Sequence, residues 1–158
     1  MANQLNEQNK NLLFVSSSGG HLSQLLQLEP WWRHHQRHWV TFDLADAHSK
    51  LSDEPVTFAH FPTTRNIPNM IRNAALAFKV LRKLKPDVVI SNGAGVAFPF
   101  FVVARALKIP TVYVEVYDRI NSATLTGKLC KPFTTEFLVQ WPEQEEIYEG
   151  SKLVGALY

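Results

Sequence analysis

The stretch FVSSSGGHLSQLLQL, residues 14–28, decides the fold that we expect. An apolar run enters it, two adjacent glycines and a histidine interrupt it, and a leucine-rich helical pattern leaves it. A buried strand that passes directly into a helix is the opening unit of a parallel α/β sheet. The two glycines leave the backbone at this turn without side chains, so a ligand could approach it closely.

The turn SSSGGH favours a bound anion. Glycines let the backbone approach a ligand closely, and the first turn of a helix offers unpaired N–H groups and a partial positive charge. The candidate phosphate-binding residues of this turn are Ser17, Ser18, Gly19 and Gly20. His21, which follows them, can donate to a phosphate oxygen or act as a base. A tight turn that His21 caps without any ligand explains the same residues.

Length and composition indicate one folded domain. Of the 158 residues, 46% are hydrophobic and 19% are charged, which is typical of a globular protein rather than a disordered one. The formal charge of +2 is too small to favour a nucleic-acid partner. Cys130 is the only cysteine, which excludes a disulfide within the chain and a thiolate zinc site. We expect it to be a spectator thiol, buried or half-buried, in a reducing cytoplasm.

The N-terminal residues differ in character from the rest of the chain. We expect residues 1–10 to form a flexible polar N-terminus and residues 11–158 to form a single Rossmann-like domain. The first residues lack the apolar segment of a signal peptide. No stretch approaches the roughly 18 apolar residues that span a bilayer, so we expect any membrane contact to be peripheral.

Apolar runs and amphipathic segments alternate along the chain. The predicted strands are residues 12–16, 39–42, 56–60, 86–91, 109–115 and 137–140, with a short terminal strand at 153–154. The predicted helices are residues 21–28, 68–84, 96–107, 122–130 and 142–148. This alternation predicts a parallel sheet with right-handed crossovers and helices on both faces. Such sheets bind ligands at the carboxyl ends of their strands.

A second glycine turn, SNGAG at residues 91–95, follows a later strand. Asn92 is placed to cap the next helix, while Gly93 and Gly95 open the turn. Two glycine turns at the carboxyl ends of strands in one sheet would open on the same crevice. An ordinary tight turn is the alternative interpretation of this segment.

Charged residues follow the next strand, in VEVYDRINS at residues 114–122. Arg119 is a candidate clamp for a phosphate, and Glu115 a candidate acceptor of sugar hydroxyls, with Asp118 close by. A local ion pair on the rim of the sheet explains the same charges. Arg65, which precedes the long helix, is a further candidate anion contact, although an exposed loop arginine is the more common outcome.

The helix predicted at residues 68–84 carries basic residues beside its apolar ones. Arg72, Lys79, Arg82 and Lys83 are the candidates for contact with anionic headgroups. A solvated helix face is the alternative.

The segment at residues 113–143 contains Glu115, Arg119, LTGKL at 125–129, Pro132 and FLVQWP at 137–142. In these features it resembles the asparagine-linked-glycosylation protein fourteen family and its bacterial relatives of the PssD type, which work in capsule and exopolysaccharide synthesis. The SSGGH turn and residues 86–100 fit the family as well. Two positions depart from its pattern: Val116 stands where a serine is usual, and Asp118 stands where a small residue is commoner.

The resemblance implies a fold and a function. Family members are similar to the N-terminal, acceptor-binding half of a GT-B glycosyltransferase such as MurG, and a separate partner binds the UDP-sugar. The implied partner is a chain of the asparagine-linked-glycosylation protein thirteen or PssE type. The chain would then be the acceptor-binding, membrane-recruiting subunit of an inverting hexosyl- or glycuronosyltransferase in capsule or exopolysaccharide synthesis. No cofactor or metal is implied, and the expected location is the cytoplasmic face of the plasma membrane.

The resemblance also implies roles for the candidate residues. The SSGGH turn would hold the diphosphate, or the adjoining sugar, of an undecaprenyl-diphosphate-linked saccharide, with the turn at residues 92–95 beside it. Attack of an acceptor hydroxyl on the donor sugar needs a base. His21 and Glu115 are the candidate bases, with Asp118 behind them.

Other functions fit parts of the same sequence. A dinucleotide-binding oxidoreductase would use Asp43, about 20 residues beyond the glycines, but the turn lacks the G-x-G-x-x-G spacing. A non-catalytic membrane adaptor that activates a catalytic partner is the stronger alternative. A glycosyltransferase that is competent alone is disfavoured, because 158 residues correspond to one domain and we expect the donor domain to be a separate polypeptide. We expect the segment at residues 147–158 to meet the partner.

Overall fold

A computed structural model describes residues 9–157, and its centre is a sheet of parallel strands with the order β3-β2-β1-β4-β5-β6-β7. The strands are β1 (Asn11–Val15), β2 (Gln36–Phe42), β3 (Val56–Ala59), β4 (Val88–Ser91), β5 (Thr111–Val114), β6 (Glu136–Val139) and β7 (Lys152–Leu153). The helices are α1 (Gly20–Leu26), α2 (Glu29–Trp32), α3 (Ala45–Lys50), α4 (Ile67–Leu84), α5 (Ala97–Ala106), α6 (Leu125–Cys130) and α7 (Pro142–Ile147).

Strand β1 is buried on both faces, which is why it reads as a continuous apolar run. Leu13 and Val15 pack into a cluster with residues of α4 and α5, whereas Leu12 and Phe14 pack into a second cluster with residues of α1, α2 and α3. Alternate side chains of a strand point to opposite faces, so one strand serves both cores. The predicted parallel sheet with helices on both faces is confirmed.

The order of the strands places the two glycine turns side by side. Strand β1 pairs with β2 on one side and with β4 on the other, so the chain reverses its direction of winding at this point. Ligands of open α/β sheets bind in the crevice at such a switch point, outside the carboxyl ends of the strands. The turn after β1 and the turn after β4 therefore lie next to each other at this crevice.

The structure differs from the predicted elements mainly in short or polar segments. Strand β2 begins earlier than expected, at Gln36, because its polar first residues pair with β1. Helices α2 and α3 are absent from the prediction, and α6 begins at Leu125, where the Thr124 side chain accepts from the Gly127 amide. The predicted N-terminus lies largely outside the described residues, as does Tyr158.

Cys130 is buried in the core, as the sequence suggested. Burial first, and then the nearby Glu115 carboxylate, raise the pKa of its thiol to about 12. A thiol in this state is not nucleophilic at neutral pH, which is consistent with a spectator.

Candidate functional site

The turn between β1 and α1 is held by the chain's own carboxylate. The Gly19 amide, at a φ of +76°, donates to Oδ2 of Asp46 at 2.6 Å. Asp46 belongs to α3, and the same oxygen lies 3.7 Å from Nζ of Lys50. The amide expected to meet a phosphate therefore already has an anionic partner. Gly20 is exposed, and Ser17 and Ser18 are half-buried on the same turn.

His21 and Asn92 join the two turns by a reciprocal pair of hydrogen bonds. The Asn92 side-chain nitrogen donates to the His21 carbonyl oxygen at 2.7 Å, and Nδ1 of His21 lies 3.2 Å from the Asn92 carbonyl oxygen. Because a carbonyl oxygen only accepts, Nδ1 carries the proton in this bond. In the neutral ring, Nε2 then holds the lone pair that can accept a proton from a substrate.

Asn92 does not cap α5, as the sequence had suggested, because α5 begins after Val96. The Asn92 residue is only 1% exposed, and its Oδ1 has no hydrogen-bond partner within residues 9–157. Buried polar atoms are nearly always paired, and Asn92 Oδ1 is one of five such side-chain atoms among the described residues that lack a partner.

The glycines of the second turn permit close packing of protein against protein. A Cβ at Gly93, where φ is +111°, would lie 2.7 Å from the Tyr113 hydroxyl. A Cβ at Gly95 would lie 2.7 Å from the Thr63 hydroxyl. Both positions therefore require glycine irrespective of any ligand.

Glu115 belongs to a buried network beneath the rim rather than to the open crevice. The residue is 0% exposed, and its carboxylate accepts from the Tyr148 hydroxyl, from Oγ1 of Thr124 at 3.0 Å and from the Val116 amide at 2.9 Å. Burial, followed by the hydrogen bond to Glu115, raises the pKa of Tyr148. These bonds tie the end of β5 to the start of α6 and the end of α7.

Four of the predicted site residues line one small cavity at the switch point. His21 and Asn92 form one wall, and the exposed Asp118 and Arg119 form the other, around a volume of about 200 Å³. Thr124 and Thr126 add hydroxyls to its lining. We call this space the polar cavity. It holds a base, a cation and hydrogen-bonding groups within one crevice.

A larger groove of about 580 Å³ adjoins the polar cavity, and Thr126 lines both. We call it the apolar groove. Arg65 and Gly95 lie on its lining rather than in the polar cavity, so the structure separates them from His21. Its apolar lining comes from α4, α5 and α6: Ile67, Met70, Phe98, Leu125 and Leu129.

The groove opens beside the outer face of α4, on which Ile71 and Phe78 are exposed. The four basic residues proposed for membrane contact, Arg72, Lys79, Arg82 and Lys83, are exposed on this helix. The Arg82 guanidinium lies 5.6 Å from the centre of the Phe78 ring. Among the helices of residues 9–157, none is both long enough and apolar enough to cross a bilayer.

Sequence reasoning missed three residues that hold this site together. The side chains of Gln140, Trp141 and Gln144 all donate to main-chain carbonyls of residues 115–119. The first two were noted only as part of the FLVQWP motif. The two glutamines just beyond the carboxyl end of a predicted strand were the available signal, because amide side chains that become buried need hydrogen-bond partners.

Comparison with known proteins gives a consistent result. Residues 12–157 match the family described as "Oligosaccharide biosynthesis protein Alg14 like". The "UDP-N-acetylglucosamine transferase subunit ALG14" of Rattus norvegicus is 27% identical over 95% of this chain and 84% of the relative. Its Homo sapiens counterpart is 26% identical over 93% of this chain and 82% of the relative.

Longer proteins match as well, over part of their length. A Tolumonas auensis protein named "UDP-N-acetylglucosamine--N-acetylmuramyl-(pentapeptide) pyrophosphoryl-undecaprenol N-acetylglucosamine transferase" is 28% identical over 91% of this chain and 43% of its own. The crystal structure of MurG from Acinetobacter baumannii superposes with a TM-score of 0.77 at 19% identity, over 92% of this chain and 45% of that one. The expected likeness to one half of a GT-B glycosyltransferase is confirmed for the fold. With a family match that covers nearly all of the described residues, the chain belongs to the Alg14-like family of oligosaccharide biosynthesis proteins.

Proposed function

We propose that this chain is the acceptor-binding subunit of a two-component glycosyltransferase. A partner chain binds a UDP-sugar, and the transferred sugar goes to a saccharide carried on a polyprenyl diphosphate. The names of the ALG14 relatives, which are transferase subunits, and of the longer relative, which acts on a pyrophosphoryl-undecaprenol substrate, support this assignment. The observation that carries it is the polar cavity adjoining an apolar groove at the switch point.

The two spaces suit the two parts of such an acceptor. Arg119 offers a forked guanidinium to a diphosphate, and its exposed side chain is free to turn toward one. The apolar groove takes the first isoprene units, with Arg65 at its edge. Ile71, Phe78 and the basic residues of α4 then rest on the bilayer from which the lipid comes.

The chemistry assigned to the polar cavity is proton removal from the acceptor. Nε2 of His21 takes the proton of the attacking hydroxyl, whose oxygen forms a bond to the anomeric carbon of the donor sugar. The bond from that carbon to UDP breaks on the opposite face, UDP leaves with the electron pair, and the configuration inverts. Asp118 faces the same cavity and can stabilise the imidazolium.

Glu115 has a different role in this proposal. Its carboxylate is fully buried and already accepts three hydrogen bonds, so an acceptor hydroxyl does not reach it. We assign to it the positioning of Thr124, which lines the polar cavity.

The finer parts of the proposal follow the resemblance to PssD-type proteins. The lipid is undecaprenyl diphosphate, the partner is of the PssE or asparagine-linked-glycosylation protein thirteen type, and the transferred sugar is a hexosyl or glycuronosyl residue. The product enters capsule or exopolysaccharide synthesis. The complex works at the cytoplasmic face of the plasma membrane, to which this chain recruits the partner.

The decisive experiment is reconstitution with a donor-binding partner chain. Transfer from a panel of UDP-sugars to an undecaprenyl-diphosphate-linked saccharide is measured for each chain alone and for the pair. Binding of undecaprenyl diphosphate in vesicles is measured for this chain alone. Activity of the pair only, together with binding by this chain, supports the proposal. Activity of the pair without such binding supports an adaptor, and transfer by this chain alone contradicts both.

A further inference from the structure

Side chains of residues 140–144 donate hydrogen bonds to the main-chain carbonyls of the loop that carries Asp118 and Arg119. Nε2 of Gln140 donates to the Glu115 carbonyl at 2.9 Å, and Nε1 of Trp141 donates to the Tyr117 carbonyl at 2.8 Å. Nε2 of Gln144 donates to two carbonyls of the same loop, those of Val116 at 3.2 Å and Arg119 at 2.8 Å. Side chains of residues 140–144 therefore donate to four of the five carbonyls of residues 115–119.

Gln144 is the centre of this arrangement and uses its full hydrogen-bonding capacity. The residue is 0% exposed, and its Oε1 accepts from the amides of Gln140 at 2.9 Å and Trp141 at 3.2 Å. A primary amide has two donor hydrogens and an oxygen with two acceptor sites, and all four are in use. Oxygen must face the amides and nitrogen must face the carbonyls, so the orientation of the side chain is fixed.

The oxygen and the nitrogen of the Gln144 side-chain amide have separate roles. Accepting from the amide of the residue before α7 is the ordinary function of a glutamine or glutamate at the third position of a helix. Donating to the Val116 and Arg119 carbonyls is unrelated to α7 and acts on the loop that carries Asp118 and Arg119. The Tyr117 amide of this loop also donates to Oε1 of Gln24 in α1, at 3.4 Å.

From this geometry we propose that Gln144 is a positioning residue for the acceptor site. Its two donated hydrogen bonds fix the loop so that Arg119 and Asp118 face His21 across the polar cavity. The inference rests on the proposed function, because it assumes that an anionic acceptor group binds there. Without these bonds the loop samples open conformations, and the cation is no longer held where the anion arrives.

The test uses Gln144→Glu, which keeps the acceptor for the start of α7 but removes both donors to the loop. Amide hydrogen exchange over residues 116–120 and binding of inorganic pyrophosphate are measured on the full chain. We expect exchange in the loop to rise about tenfold and pyrophosphate affinity to fall by a similar factor, since two hydrogen bonds are lost. Exchange in β1 should not change. Gln27→Glu is the matched control, because it makes the same substitution at an exposed glutamine just after α1.

The outcomes separate this inference from the proposed function. Loop exchange at the wild-type rate overturns the inference, and so does faster exchange with unchanged pyrophosphate affinity. If the wild-type chain itself fails to bind pyrophosphate, the proposed acceptor site is wrong, and loop exchange alone decides whether Gln144 holds the loop. If Gln144→Glu unfolds the chain, Gln144→Met replaces it, since it removes both donors to the loop without placing a carboxylate in the core. The same two criteria then apply.

Discussion

At the scale of single residues, His21 is the group whose chemistry the structure defines most closely. Its Nδ1 proton is committed to the Asn92 carbonyl, which leaves Nε2 as the acceptor in the neutral ring. The sequence had offered His21 and Glu115 as equivalent candidates for the base. Only the structure distinguishes them. Glu115 is buried and accepts a hydrogen bond from the hydroxyl of Tyr148, which is 33 residues away in the chain.

Replacement of His21 tests its role as the base. We expect His21→Ala to lower kcat of the reconstituted pair about 10²–10⁴-fold, with the KM for the acceptor little changed, because the base acts in the transition state. Turnover is measured at saturating acceptor. His34→Ala is the control, since His34 is exposed and precedes β2, at the end of the strand opposite to the polar cavity. Undiminished turnover in His21→Ala would remove this residue from the mechanism.

Gly127 tests the buried network around Glu115. A Cβ at this position would contact the Tyr148 hydroxyl and lie 2.7 Å from Oε2 of Glu115. We therefore expect Gly127→Ala to lower the free energy of unfolding by about 1–3 kcal/mol. Urea unfolding measures the change. Gly20→Ala is the matched control, because its Cβ meets nothing within 4 Å; equal stability of the two variants would argue against a tightly packed network.

At the scale of the elements, the strands were predictable and the short helices were not. Buried parallel strands are continuous apolar runs, and these stand out in any sequence. Helices α2 and α3 are too short for a periodic pattern to appear. Because α3 was not predicted, the hydrogen bond from the Gly19 amide to the carboxylate of Asp46, which belongs to α3, was not expected either.

Helix α4 tests the proposed contact with the membrane. We expect the double variant Lys79→Glu and Lys83→Glu to weaken binding to vesicles containing phosphatidylglycerol by more than about tenfold, because each basic residue near an anionic surface contributes about 1 kcal/mol. Sedimentation with the vesicles measures the bound fraction. Arg33→Glu is the control, since α2 packs on the opposite face of the sheet. If both variants lose binding equally, the attraction is general rather than a property of α4.

At the scale of the whole molecule, four of the predicted site residues converge because the strand order brings their loops together. The rule that parallel strands present their carboxyl ends to one crevice was enough to group His21, Asn92, Asp118 and Arg119. It was not enough to distinguish Arg65 and Gly95, which lie in the neighbouring groove. Which loop borders which cavity depends on side-chain packing, and no periodicity in the sequence reports that.

The last strand tests the expected contact with a partner chain. β7 forms one edge of the sheet, and Leu153 and Val154 are 43% and 46% exposed at its end. An exposed apolar edge is suited to protein association. We expect Leu153→Asp combined with Val154→Asp to abolish co-purification with the donor-binding chain. Leu44→Asp, at another exposed leucine, should leave the complex intact; a retained complex in the double variant would locate the interface elsewhere.

The hydrogen bonds from residues 140–144 to the loop bear on which substitutions the loop can accept. It acts on main-chain carbonyls, which every amino acid possesses, so side chains at 116–119 can be exchanged while the support behind them stays the same. Val116 and Asp118, where the sequence was expected to depart from the family pattern, both fall in this stretch. Under the proposed function, substitutions here would change acceptor preference one residue at a time, on an unaltered scaffold.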